Sequence, residues 1–122
     1  MSRKRPAVAN TVLEPYGIRL NVIFASDLVK AAEANNINSA SLEGRAGFAA
    51  GSEDGEQWIG LDYDGLNYGI IAHESLHTVF NVMKHIGQPL EGGEEASSYL
   101  LQHIFDCVVT AAKQKKIPVS QL

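Results

Sequence analysis

The sequence predicts an α+β domain: a small mixed or antiparallel sheet of about three strands packed on two long helices, with a short helix beside them. Three observations carry this expectation. Segments 18–24 and 57–63 alternate apolar and polar residues, as half-buried strands do, and 18–24 carries β-branched side chains besides. Segments 67–86 and 94–114 carry helical periodicity instead. A chain of 122 residues, 45% hydrophobic, is long enough for one domain, 1–122, with a single core.

Taken in order, residues 1–9 read as a loose, disordered tail, and 10–16 as a short helix or an extended lead-in. Ile-Arg-Leu-Asn-Val-Ile-Phe at 18–24 reads as a strand. Ser26 is a candidate cap for a helix over 27–35, which the asparagines at 35, 36 and 38 then break. Ala-Gly-Phe-Ala-Ala-Gly at 46–51 is a second strand, with glycines suited to close backbone approach. The Ser52–Gly55 turn joins it to a partner strand at 57–63, making a hairpin that Asp64-Gly65 closes. Asn67 then caps a helix over 67–86 whose expected core stripe is Ala72, Leu76, Val79 and Met83, with Gly87 and Pro89 at its end. A short loop, 88–93, leads to a helix over 94–114, with Ala96, Leu100, Ile104, Cys107, Val108 and Ala111 as its apolar stripe.

Composition narrows the function classes. The net charge is −4 and the isoelectric point about 5.5, which argues against nucleic-acid binding. The cluster Arg3-Lys4-Arg5 reads as a solubilising tail rather than a contact arm. No apolar run follows it, so no ordinary signal peptide is expected, and no apolar stretch is long enough to span a membrane. Cys107 is the only cysteine and lies among apolar residues, so it reads as a buried structural thiol. Without an intrachain disulfide the chain suits a reducing compartment, and the expected location is the cytoplasm.

The chemistry concentrates in His73-Glu74-Ser75-Leu76-His77. On a helix, residues four apart share a face, so both imidazoles can grip one metal ion. Glu74, beside the first histidine, is suited to hold a water against that metal and take its proton. The bland alternative is two ordinary histidines and a solvated glutamate. Chance produces this pentad in roughly one shuffled chain per hundred, and the apolar run 68–72 ahead of it favours an active-site helix. Zinc needs a third protein ligand and an open position. The short loop folds the second helix back against the first, bringing Glu94 and Glu95 into consideration. Glu95 is preferred, because Tyr99 and His103 share its face and Ser98 is small enough for close helix approach. Either carboxylate would also favour a helix N-terminus. His85, two turns beyond His77, is a poorer third ligand. His103 is a candidate for bonding a ligand or a developing oxyanion, or else a partly buried histidine satisfied by Asp106.

The pentad followed by a downstream glutamate resembles the gluzincin class of zincins. Their helical Glu-x-x-Ala/Ser motif is matched by Glu95-Ala-Ser-Ser98, with Tyr99 where many members carry Asp or Asn. His73–His77 together with Glu94-Glu-Ala-Ser-Ser-Tyr-Leu101 looks more closely like small zincin-like proteins encoded by tailed phages and prophages. The likeness covers about residues 57–106. It implies a minimal zincin core, a small sheet whose edge strand borders the cleft and two helices bearing the ligands His73, His77 and Glu95. Phe80 and Met83 stand where metzincins place a glycine and a third histidine, so that class is not matched.

The expected reaction is hydrolysis of peptide bonds by a zinc metallopeptidase. Glu74 is its general base, and Tyr99 and His103 are candidates to stabilise the oxyanion. Tyr68 is a weaker candidate, and for each of these aromatic or polar residues simple packing is the competing reading. A peptide would lie extended against the 46–51 strand. Two rival classes are a purely structural zinc site and a regulatory or host-interaction module of weak or absent activity.

Overall fold

The computed structural model describes residues 6–88 and 93–121. Its elements are β1 (Ala7–Leu13), β2 (Ile18–Ala25), α1 (Leu28–Ala34), β3 (Gly47–Gly51), β4 (Gln57–Asp62), α2 (Tyr68–His85) and α3 (Glu94–Gln114). The class is α+β, and the sheet is mixed with order β1-β2-β4-β3. β1 lies antiparallel to β2, with Thr11 opposite Leu20. β2 runs parallel to β4, with Ile23 opposite Gly60, and β3 closes the order as an antiparallel edge strand, with Phe48 opposite that same glycine.

Alternation along the central strands sorts the core into two layers. Leu20, Val22, Phe24, Ile59 and Leu61 face the long helices, where Ile71, Val79, Val82, Leu100, Ile104 and Val108 meet them. Ile23, Ala25 and Phe48 face the other way, onto Leu28, Ala31, Ala32 and Leu42. Each large side chain removed from water stabilises the fold by roughly 1.5–3 kcal/mol. Phe48 packs its ring directly over Gly60, where an added Cβ would stand 2.1 Å from the ring, so that strand position must be glycine.

β1 corrects two expectations. It adds a fourth strand, and it occupies much of the stretch read as a loose tail and a lead-in; residues 1–5 of that tail lie outside the described residues. Its inward residues Ala7, Ala9 and Thr11 are small, while Val8 and Val12 stand 47% and 45% exposed. The hydrophobic contrast that marks a strand is therefore inverted, and pairing with β2 holds the segment. Asp27, not Ser26, caps α1, its Oδ1 accepting from the Lys30 amide at 3.1 Å.

α2 begins at the expected cap, where Asn67 Oδ1 accepts from the Ile70 amide at 2.9 Å. Its buried face differs from the expected stripe. Val79 and Met83 are buried, but Ala72 and Leu76 are exposed, and Ile71, Glu74, Ser75, Thr78 and Val82 are buried instead. The helix packs on β3, β4 and α3 at once, so its interior face is wider than a single stripe. Thr78 joins it cheaply, because its hydroxyl donates to the Glu74 carbonyl at 2.9 Å. α2 ends at His85, capped by Ile86 and followed by Gly87 at φ +73°; Pro89 and most of the expected loop lie outside the described residues.

α3 matches the expected range, and Leu100, Ile104, Val108 and Ala111 are buried as its stripe requires. It runs antiparallel to α2. The chain beyond it returns to the start of α2, where the Ser120 amide donates to the Leu66 carbonyl at 3.0 Å and the Tyr68 amide donates to the Ser120 carbonyl at 3.1 Å. The rings of Tyr68 and Phe105, 6.2 Å apart, fix the register of the pair. Among the described residues no helix is long and apolar enough to cross a membrane.

Candidate metal centre

The rotation of α2 decides the site. With Ile71, Ser75 and Thr78 turned into the core, His73 and His77 fall on the exposed face and Glu74 on the buried one. The two imidazoles lie edge to face with centroids 4.9 Å apart. Glu74 is 7% exposed. It lies against β3, where Gly47 makes room for it: an added Cβ there would stand 3.0 Å from Glu74 Cγ and 3.1 Å from Oε2. Burial pushes the Glu74 carboxyl above its ordinary range, while His73, His77 and Arg45 pull it back. No hydrogen bond to that carboxylate forms among the described residues, so its acceptor sites are open to a water or a ligand.

Two cavities meet at Glu74. One, of about 450 Å³, is lined by Arg45, Gly47, Asn67, Ile70 and His73. The other, of about 250 Å³, is lined by Asn38, Ser41, Arg45, Ala49 and His77. Together they follow the length of β3, the strand at the open edge of the sheet. Arg45, which lines both, has no counterpart among the residues singled out from sequence. It stands in a loop ahead of a strand, without periodicity or motif to mark it.

The remaining candidates fall elsewhere. Among the described residues no third His, Cys, Asp or Glu forms a metal-holding group with His73 and His77. Glu94 and Glu95 are both exposed. Tyr99 is 66% exposed and lines neither cavity at Glu74. His103 lines a different cavity, over β1 at the opposite edge of the sheet, with Nδ1 4.0 Å from Cys107 Sγ. Its expected bond to Asp106 is not formed, and Nε2 is buried without a partner among the described residues. His85 sits against the β3–β4 turn, where an added Cβ on Gly55 would stand 2.4 Å from its Nε2.

The donor set fits a metal on its histidine side. Two paired imidazoles on one exposed helix face, beside a carboxylate with free acceptor sites, are the right chemistry for zinc. Among the described residues no carboxylate on α3 is gathered to them. Compared with known families, with curated proteins and with solved structures, the chain matches none.

Proposed function

We propose that this protein is a zinc-dependent metallopeptidase that hydrolyses peptide bonds in a peptide or protein substrate. The observation that carries the reading is the position of Glu74, buried against the edge strand, flanked by two exposed imidazoles and facing two cavities. His73 and His77 would hold the metal, with Glu95 on α3 as the third ligand. Zinc, when bound, polarises a carbonyl and lowers the pKa of a water. Glu74 accepts a proton from the attacking water and hands it to the leaving amine, a role suited to a carboxyl whose affinity for protons is raised by burial. β3 offers its free edge to an extended substrate, aligning the scissile bond with α2. A reducing compartment, the cytoplasm, suits a chain with one cysteine. The likeness to zincin-like proteins of tailed phages rests on the two sequence motifs alone.

Cleavage of an unbiased peptide library by the zinc-loaded chain tests this. Wild type should cut, and Glu74→Gln should not, with equal zinc in both. A second reading, a zinc-binding interaction module of weak or absent activity, is favoured by the ungathered third ligand. That reading predicts no cleavage by wild type and an unchanged biological effect in Glu74→Gln.

A further inference from the structure

The geometry points to Arg45 as the residue that selects substrate, by binding a carboxylate on the peptide beside the scissile bond; this deepens the peptidase reading and rests on it. Among the described residues Arg45 is the one lysine or arginine lining either cavity at Glu74, and it lines both. It is held in place by local structure. The Leu42 amide donates to the Ser39 carbonyl at 3.1 Å and the Arg45 amide to the Leu42 carbonyl at 3.0 Å, closing successive turns. Leu42 is buried in the core on the α1 side and anchors the loop. The exposed side chain is braced by one local bond, Arg45 Nε donating to the Ser41 carbonyl at 3.0 Å.

That bond occupies Nε and leaves both terminal nitrogens without a hydrogen bond among the described residues. The charge of Arg45 reaches Glu74, yet no hydrogen bond joins the two, so the guanidinium is not consumed by the catalytic base. A planar pair of free N–H groups matches a carboxylate better than any neutral peptide group. The protein at large gives no such preference, since its net charge of −4 repels an acidic ligand. Any attraction for a carboxylate at this cleft must therefore be local. The carboxylate has two possible sources, an acidic side chain next to the scissile bond or the C-terminus of a short peptide.

Two peptide pairs separate the sources: Ac-Ala-Ala-Asp-Ala-Ala-amide against its Asn counterpart, and acetyl-pentaalanine with a free C-terminus against its amide. Their affinities are measured by following the β3 amide resonances of full-length Glu74→Gln protein, which prevents turnover and removes any effect of Arg45 on Glu74. The titrations are run with zinc and repeated with chelator, because the ion itself attracts carboxylates. Arg45 selection predicts that the acidic member of at least one pair binds about ten-fold more tightly. Adding Arg45→Gln should remove that margin in both states, and Arg45→Lys should keep part of it. Equal affinity within both pairs, or a margin that survives Arg45→Gln, overturns the inference and leaves the peptide cleft standing. Absence of β3 shifts with every peptide overturns the cleft and the inference together.

Discussion

The two edges of the sheet each carry a histidine four residues from a second reactive group on one helix, and they are built differently. At the β3 edge, α2 presents His73 and His77 to solvent with Glu74 tucked between helix and strand, and Arg45 faces the same space. At the β1 edge, α3 presents His103 and Cys107 to a cavity of about 410 Å³. Burial pushes the Cys107 thiol up, a hydrogen bond from Thr11 lowers it and the Asp106 charge raises it. Among the described residues no lysine or arginine lines that cavity to favour a thiolate. Helical spacing alone does not make a site. The β3 edge differs in having a glycine that admits a carboxylate, and open acceptor sites on that carboxylate.

The largest test of this contrast is kinetic. Glu74→Gln should lower peptide hydrolysis by at least about 100-fold with zinc content unchanged, while His103→Gln lowers it by less than about three-fold. Equal losses would erase the distinction between the two edges. Packing at the β3 edge comes next. Gly60→Ala drives a methyl into the Phe48 ring and should cost about 3 kcal/mol in urea denaturation. Gly47→Ala puts a methyl 3.0–3.1 Å from Glu74 and the Gly60 carbonyl, closer than ordinary contact but looser than at Gly60, so its cost should be nearer 1 kcal/mol, with a disproportionate loss of turnover because Glu74 must shift.

The pH dependence of stability sharpens the same point. Burial raises the Glu74 carboxyl in the folded state, so the folded chain holds that proton more tightly than the unfolded one. Its contribution is fully present below the unfolded pKa and is lost as pH rises through the folded value. In metal-free protein, the melting temperature of Glu74→Gln should therefore exceed that of wild type at neutral pH, and the gap should narrow on acidification. A gap independent of pH would mean that the carboxylate is not penalised by burial. The smallest effect belongs to the other edge: Cys107 in the folded chain should react with a thiol reagent at least about ten-fold more slowly than a small free thiol at pH 8.

Much of this architecture was legible in the sequence, for physical reasons that also mark where reading stopped. The range of α3 was legible end to end from the helical period of its apolar stripe, although Ala96 and Cys107, expected in that stripe, are only partly buried. β3 and β4 were legible from alternation around a turn. β1 was not, since alanine and threonine face the core while valines face water. The face of α2 was misjudged at Ala72 and Leu76 because Ser75 and Thr78 lie in the interior, where a hydrophobicity pattern does not place them. Within the site, the pairing of His73 and His77 followed from their spacing. The pocket for Glu74 did not, because it depends on Gly47 from another element, and Arg45 depends on the path of a loop. His103 lines the cavity at the β1 edge, which spacing could not show, because sharing a face with Glu95 fixes direction around a helix but not which cavity lies beyond it.

The central claim is that His73 and His77 hold a metal at the β3 edge. Elemental analysis of protein purified without chelator or metal-affinity resin tests it, on wild type, His77→Ala and His103→Ala, with Glu95→Gln and Glu94→Gln alongside to locate the third ligand. The account predicts about one zinc per chain in wild type and His103→Ala, loss in His77→Ala, and greater weakening by Glu95→Gln than by Glu94→Gln. No zinc in wild type after zinc is added back, or zinc that survives His77→Ala, would contradict it.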